Sequence, residues 1–291
     1  MVQSIPKPDW LRIKIPSGEP RSKVIKDVKT RALCTVCVEA NCPNQMECFD
    51  RGAATFMLLG PTCTRNCTFC AVGKEAVFPP DPKEPQRMAE SVAQMKLTYC
   101  VLTMVTRDDL ADGGADHICR TLDAIRDQVP GIFVEVLISD LKGSSKALEK
   151  VLATGPQVVN HNIETVERLY PQVRPQAIYR RSLELLATAA KYRPALGTKS
   201  GIMLGLGETR SEVLAVMDDL RAAGCQMLTI GQYLAPSKDH HPVVRYVTPD
   251  EFEAFKTEAL ARGFYAVASA PLVRSSYQAD KLYAQSKAKA K

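Results

Sequence analysis

The chain has 291 residues, 45% hydrophobic and 24% charged, enough to bury a full core as one large α/β domain or two smaller ones. Its formal charge of +6, from 38 basic and 32 acidic residues, is mild and fits either a solvated surface or one that attracts an acidic protein or an anionic cofactor. No nucleic-acid module accompanies that charge. No apolar run reaches the about 18 residues of a membrane span. Met1 to Pro20 carries Asp9 and Glu19 and shows neither an apolar h-region nor an Arg/Ser-rich pattern, so a cytoplasmic protein is expected. Ten cysteines in that compartment are poorly explained by disulfides, and seven of them fall in two tight groups, which favours metal.

Residues 1–30 are Pro-rich and charged, with Trp10 and Leu11 as the sizeable apolar pair, and read as an extended arm on the surface. The first thiol group follows at Cys34, Cys37, Cys42 and Cys48. By thiol count it suits an all-cysteine zinc site or an iron–sulfur cluster equally. A β-prone run, Ala54–Leu59, ends at the Gly60-Pro61 breaker. The loop after it holds Cys63, Cys67 and Cys70, spaced C-x3-C-x2-C. Two readings are open for it. A zinc turn would need a remote fourth ligand, because structural zinc is closed by four protein groups. A [4Fe–4S] cluster held by three thiolates would keep one iron open for a group that is not protein. The loop stands at the C-terminal end of a strand, where α/β folds place their active sites.

From about residue 50 to 265 strand-like runs alternate with helical patterns. Strands are expected at 54–59, 99–105, 132–138, 158–161, 198–204 and 227–231. Helices are expected near 84–95, 114–128, 145–153, 164–170, 179–192, 211–223 and 249–262, with Ser211 at a cap and Gly224 as a stop signal. Six such units imply a parallel sheet with right-handed crossovers, too few for a closed eight-stranded barrel. The expected fold class is α/β: a partial, open (β/α)6 TIM-like barrel. The expected boundaries are an N-terminal cysteine-rich extension over 1–50, the barrel over 51–265, and a short C-terminal extension over 266–291. The lysines at 287, 289 and 291 suggest a disordered end.

Polar residues gather after several strands. Thr106–Gly114 suits a turn with helix capping or a substrate contact equally. Asn160, His161, Asn162 and Glu164 follow the fourth strand, and His161 there reads as a hydrogen-bonded structural residue. Arg174 stands near Pro171 and Pro175 and is either a surface residue or a partner for a carboxylate. Gly201–Glu208 is glycine-rich, lets a ligand approach the backbone, and is not a phosphate loop because no Gly-Lys-Ser/Thr follows. Cys100, Cys119, Cys225, Met203, Met217 and Met227 read as core.

The Cys63–Cys70 spacing, with Phe69 before the last cysteine, resembles the signature of the radical S-adenosylmethionine superfamily. Gly201-Ile202-Met203-Leu204-Gly205-Leu206-Gly207-Glu208 resembles its G-x-I-x-G-x-x-E element, with Met203 where Ile is usual. Cys37, Cys42 and Cys48 in a C-x4-C-x5-C register, the run Glu39–Asn44, the run Ala54–Met57 and Arg274-Ser275-Ser276-Tyr277 together resemble the lipoyl synthase family over about residues 31–280.

That resemblance implies two [4Fe–4S] clusters and S-adenosylmethionine. Cys63, Cys67 and Cys70 would hold the cluster whose open iron chelates S-adenosylmethionine and whose electron releases the 5′-deoxyadenosyl radical. Cys37, Cys42, Cys48 and Ser276 would hold an auxiliary cluster, consumed as the sulfur source, and Cys34 would stand outside both. Phe69, Asn160, Glu164, Arg174, Gly201 and Met203 are the implied cofactor contacts. The implied reaction inserts two sulfur atoms at C6 and C8 of an octanoyl chain on a lysine, with two S-adenosylmethionine molecules spent. The implied carriers are a lipoyl domain of a 2-oxoacid dehydrogenase E2 component or the glycine-cleavage H protein. An electron donor such as ferredoxin or flavodoxin and an iron–sulfur cluster carrier are the other implied partners, with no nucleic acid and no membrane.

Overall fold

The computed structural model describes residues 6–12, 19–193 and 195–289. They form two compact units, one of residues 19–65 and 71–159, the other of residues 6–12, 66–70 and 160–289. Eight strands carry the order of the chain, β1 to β8. This is the expected series of six strands with one more at each end, and the added strands were not foreseen.

The first unit opens on α1 (Glu19–Thr30), a helix where an extended arm was expected; Val24 and Val28 are buried, and Ser91 hydrogen-bonds to Asp27. Of the rest of that arm, residues 6–12 are described and hold a 3-10 turn at Asp9–Leu11; the others lie outside the described residues. Apolar residues four apart, flanked by basic and acidic ones, are what make α1 a helix, and the prolines that suggested extension stop at its first turn. Then come β1 (Cys34–Thr35), α2 (Val36–Glu39), α3 (Gln45–Asp50) and β2 (Thr55–Leu58). β1 is antiparallel to β2, pairing Cys34 with Met57 and Thr35 with Phe56. Two residues are too short a signal for sequence patterning, which is why β1 escaped it.

α4 (Glu84–Gln94), β3 (Tyr99–Met104), α5 (Ala115–Gln128), β4 (Phe133–Leu137), α6 (Ser145–Ala153) and β5 (Val158–Asn160) follow. β2, β3 and β4 pair in parallel. All four residues of β2 are buried, and Phe56, Leu58, Leu102, Val134 and Val136 stand at 0–1% exposure. Each such side chain contributes about 1.5–3 kcal/mol by leaving water.

In the second unit α7 (Tyr170–Val173), α8 (Tyr179–Tyr192), β6 (Gly197–Leu204), α9 (Arg210–Ala222), β7 (Met227–Gln232), α10 (Pro249–Ala261), β8 (Ala266–Ser269) and α11 (Ala279–Lys289) succeed one another. β6, β7 and β8 pair in parallel. The helix expected over 164–170 is absent: Glu164 sits at φ +66° and bridges to Ile202, and only a 3-10 turn, Glu167–Leu169, and α7 follow. The cap of α9 is Thr209 rather than Ser211, because Thr209 and Glu212 close a reciprocal capping box; Gly224 does end the helix, its N–H reaching the Arg221 carbonyl at 2.9 Å. The basic tail is helical as far as Lys289, with Lys287 on the Ala195 carbonyl and Lys289 on that of Phe264; Lys291 lies outside the described residues. No described helix is long and apolar enough to cross a membrane.

Candidate active site

None of the ten cysteines is in a disulfide. In the first unit, Thr35 caps α2 by accepting the Val38 N–H at 3.4 Å, which turns the chain so that Cys37 is buried at 5% exposure. The Cys42 N–H then returns to the Cys37 carbonyl at 3.1 Å, and the Cys48 N–H to Asn44 at 2.9 Å. Burial, with the neighbouring Cys37 and Cys42 thiolates adding to it, pushes Cys48 up to about 12. Burial and Cys42 act in the same sense on Cys37, which stands at about 11. These three thiols therefore feel one another. Cys34 is pushed up to about 11 by burial and then by the carboxylates of Glu39 and Glu84.

The loop carrying Cys63 leaves β2 through Leu59 and Gly60, both at positive φ (71° and 88°). Leucine is uncommon there, and it is held from both sides. Its N–H donates to Glu84 Oε2 at 3.0 Å, and Glu84 in turn meets His117 Nε2 at 2.6 Å. Its carbonyl accepts from Arg107 at 3.4 Å. Beyond the turn, the Cys63 N–H bonds the Gly73 carbonyl at 2.8 Å, and Thr64 reaches the Thr106 carbonyl through both N–H (3.0 Å) and hydroxyl (2.9 Å). Arg65 is buried and forks onto Asp108 at 2.7 and 3.0 Å and onto Asp140 at 2.6 Å. Its backbone N–H points at the Cys63 sulfur, 3.4 Å away. Within Thr106–Gly114, then, Asp108 braces Arg65, Asp109 braces Arg107 at 2.8 and 2.7 Å, and Asp112 accepts the N–H groups of Gly114 and Asp116. These bonds fit the turn reading of that run.

In the second unit the segment 66–70 is pinned by backbone and polar side chains. Gln176 takes the Asn66 N–H at 2.5 Å, the Thr68 hydroxyl reaches the Gln172 carbonyl at 2.9 Å, and the His241 N–H reaches the Thr68 carbonyl at 2.9 Å. His240 Nε2 lies 3.1 Å from the Cys70 carbonyl, and its Nδ1 lies 2.9 Å from Ser237 Oγ. Phe69 packs against the apolar core of this unit. Nothing in the sequence analysis singles out His240 and His241, nor Gln172, Gln176, Asp140 and the Glu84–His117 pair. Two adjacent histidines just past a strand-end run were the available signal.

Asn160, Asn162 and Glu164 form a chain with a serine of the C-terminal motif. Asn160 Nδ2 donates to Ser275 Oγ at 2.8 Å, Ser275 donates to Asn162 Oδ1 at 2.8 Å, and Asn162 Nδ2 donates to Glu164 Oε1 at 3.1 Å. The Ser276 hydroxyl has no hydrogen-bond partner among the described residues. His161 lies 2.9 Å from the Ser182 hydroxyl, a structural role as expected. Burial raises the Glu164 carboxyl, against the pull of Arg174 and Asn162. Burial acts to lower Arg174, but Tyr170, Glu164 and the Cys67 sulfur outweigh it, so the guanidinium stays charged. Its Nη1 serves the carbonyls of Asn162 (3.1 Å) and Ile163 (3.2 Å) and the Tyr170 hydroxyl (3.1 Å). Its Nε is buried with no acceptor among the described residues.

Gly201 and Met203 are backbone partners of Glu164: the Glu164 N–H bonds the Gly201 carbonyl and the Met203 N–H bonds the Glu164 carbonyl, each at 2.9 Å. A Cβ on Gly201 would come within 2.7 Å of Thr229 Oγ1 and 2.9 Å of Asn162 Oδ1, so the glycine makes room for protein side chains. Glu208 is consumed by its own loop, accepting the Gly205 and Leu206 N–H groups at 2.6 and 2.9 Å. Among the described residues no three of His, Cys, Asp and Glu are gathered for a single metal ion. Cluster irons each take their own thiolate, so a cluster does not require that gathering.

Residues 57–220 match the Radical SAM superfamily. Among curated relatives, a lipoyl synthase of Methylococcus capsulatus is 54% identical over 94% of this chain and 85% of its own length, and one of Caldicellulosiruptor saccharolyticus is 52% identical over 94% and 96%. The crystal structure of a methylornithine synthase shares the fold with a TM-score of 0.56 at 12% identity, over 72% of this chain and 62% of that one. A maturase of the [FeFe]-hydrogenase does so at 0.58 and 15%, over 87% and 63%. With 94% of the chain matched at such identity, the chain belongs to the lipoyl synthase family of enzymes within the Radical SAM superfamily.

Proposed function

We propose that this chain inserts two sulfur atoms, at C6 and C8, into an octanoyl group carried on a lysine of a lipoyl domain or of the glycine-cleavage H protein. The observation that carries the proposal is a second set of mutually interacting thiols, Cys37, Cys42 and Cys48, in addition to the motif of residues 63–70. Unactivated C–H bonds resist acids, bases and ordinary nucleophiles, and a [4Fe–4S] cluster with S-adenosylmethionine bound supplies the carbon radical that attacks them.

The donor chemistry suits these groups. Thiolates are soft ligands for cluster iron, and Cys63, Cys67 and Cys70 are the three proposed for the radical-generating cluster. Cys37, Cys42, Cys48 and Ser276 are proposed for the auxiliary, sulfur-donating cluster. An open serine hydroxyl, harder than thiolate, suits the corner that must be released. Arg174, with a buried N–H lacking an acceptor close to Glu164 and Cys67, would receive the carboxylate of S-adenosylmethionine. Glu164 and Asn160 would meet its amino or ribose groups. Phe69 and Met203 would give apolar contact, and Gly201 would hold the strand that carries Met203. Two molecules of S-adenosylmethionine would be used per product. Ferredoxin or flavodoxin would supply electrons, and a cluster carrier would rebuild the auxiliary site, in the reducing cytoplasm that ten cysteines outside any disulfide suit.

The test is mass spectrometry of an octanoyl-lysyl peptide after anaerobic incubation with reconstituted protein, S-adenosylmethionine and a reductant, with 5′-deoxyadenosine followed alongside. A gain of two sulfurs is expected. Deoxyadenosine without any sulfur gain would reject the substrate, and neither product from protein holding both clusters would reject the reaction class.

A further inference from the structure

The C-terminal motif holds two serines, and the proposal above uses only Ser276. Ser275 is the more tightly engaged. Its single O–H donates to Asn162 Oδ1 and its oxygen accepts from Asn160 Nδ2, both at 2.8 Å, which fills most of what a hydroxyl can offer. Asn162 is itself oriented by Glu164, and the glycine at 201 leaves the room its carbonyl oxygen occupies. The segment leading to the serines is fixed by backbone: the Gln232 N–H bonds the Pro271 carbonyl at 3.1 Å and the Val273 N–H bonds the Ala270 carbonyl at 3.0 Å. A Cβ on Gly231 would lie 2.1 Å from the Val273 carbonyl oxygen, so the segment passes directly over that glycine. Past Val273 the chain turns, with the Tyr277 N–H on the Arg274 carbonyl at 3.0 Å, and the Ser275 hydroxyl ties this turn sideways to the loop after β5.

We propose that Ser275, acting through Asn162, is a positioning residue that fixes the reach of the Ser276 hydroxyl toward cluster iron. The inference rests on the reading of Ser276 as a ligand. Consecutive Cα atoms are about 3.8 Å apart, so anchoring one serine confines the other. A hydroxyl is a weaker partner for cluster iron than a thiolate, so its hold depends more on placement. Groups that orient a metal ligand change affinity about 10- to 100-fold when removed. The same tie reaches Glu164 and so links the ligand-bearing turn to the strand-end residues proposed to meet S-adenosylmethionine.

The experiment compares the full-length chain, reconstituted with both clusters, as parent, Ser276→Ala, Ser275→Ala, Ser275→Thr and Asn162→Ala. The readouts are the electron paramagnetic resonance of three-iron cluster after mild oxidation and the rate of iron loss to a chelator. Any contribution of the Cys63, Cys67 and Cys70 site is common to all. Ser275→Ala is expected to raise the three-iron signal to the order seen with Ser276→Ala and to speed iron loss about tenfold. Ser275→Thr, which keeps the hydroxyl, should restore the parent level. Asn162→Ala, which leaves the serine segment untouched, should reproduce the rise. If Ser276→Ala raises the signal while Ser275→Ala or Asn162→Ala stays at the parent level, the positioning role is overturned and the ligand reading stands. A rise that threonine does not reverse also overturns it. If Ser276→Ala itself changes nothing, the ligand reading fails and this inference fails with it.

Discussion

Arg65, between the first two cysteines of the 63–70 loop, should be the most costly single charge to remove from the first unit. Its side chain is 5% exposed and that of Asp140 is 2% exposed, whereas Asp108 is 30% exposed. Arg65→Met leaves Asp140 as a buried carboxylate without its arginine. Breaking a buried pair from one side costs about 3–5 kcal/mol, and the more exposed Asp108 contact adds no more than about 1 kcal/mol. Against a total stability of about 5–15 kcal/mol this is a large fraction. Arg65→Lys keeps the charge but loses the fork, so about 1.5–3 kcal/mol is expected. Arg65→Met combined with Asp140→Leu removes both charges and should be more stable than Arg65→Met alone by about 1 kcal/mol or more. Urea unfolding followed by circular dichroism on the iron-free chain measures all four. The reasoning is refuted if Arg65→Met lies within about 0.5 kcal/mol of the parent or if the double change is additive. Because the guanidinium bonds to Asp108 and Asp140 hold the loop on which the Arg65 backbone N–H meets the Cys63 sulfur, iron content of the Arg65→Met protein should fall toward that of Cys63→Ala.

Other expectations are equally direct. Cys67→Ala should abolish deoxyadenosine formation with the auxiliary cluster's absorbance retained, whereas Cys42→Ala should keep deoxyadenosine and lose sulfur insertion; chromatography and mass spectrometry separate the two. Arg174→Lys loses the guanidinium fork and should weaken S-adenosylmethionine binding about tenfold, or about 1.4 kcal/mol, by equilibrium dialysis; unchanged affinity would remove the carboxylate role. Gly231→Ala should destabilise by about 1–3 kcal/mol through the Val273 carbonyl it would strike, read as a fall in thermal midpoint. Burial and neighbouring thiolates hold Cys37 at about 11 and Cys48 at about 12, so in iron-free protein both are protonated at neutral pH. Their alkylation should climb steadily from pH 7 to pH 10, and a plateau in that range would contradict the placement.

Much of this architecture was legible because it is local. The six strands and most helices announced themselves through continuous apolar runs and through 3.6-residue periodicity, and both signals survive without tertiary context. β8 was missed because Ala266–Ser269 is short and mixed, and α1 because the prolines run on into its first turn. The cysteine registers were legible because spacing along the chain is enough to suggest a shared ligand. Cys34 could not be separated from Cys37, Cys42 and Cys48 by counting. Its place outside the set is implied by the C-x4-C-x5-C register of the resemblance. Glu164 read as helical because the residues after it are compatible with a helix, but its backbone is claimed by Gly201 and Met203 across 37 to 39 positions of sequence.

The residues that sequence could not resolve share a physical cause. Strand-end loops have buried N–H and C=O groups with no ladder partner, and those groups must be satisfied by side chains. Glu84 does this for Leu59, Glu208 for Gly205 and Leu206, and Gln232 for the carbonyls of Leu204, Tyr233 and Arg245 at 3.0–3.1 Å. His240 does it for Cys70. Such residues look catalytic in sequence, being polar, ionisable and placed where active sites lie, yet their capacity is spent on backbone. The Arg174 Nε and the Ser276 hydroxyl, by contrast, lack partners among the described residues. A structural role predicts that replacing a residue costs stability whether or not cofactor is present. A ligand role predicts that the cost appears only when cofactor is bound. Glu208→Gln should therefore lower the thermal midpoint of iron-free and loaded protein alike, while Ser276→Ala should lower only that of the loaded protein. Equal shifts for both variants in both states would mean that unspent hydrogen-bonding capacity does not mark the ligands of this site.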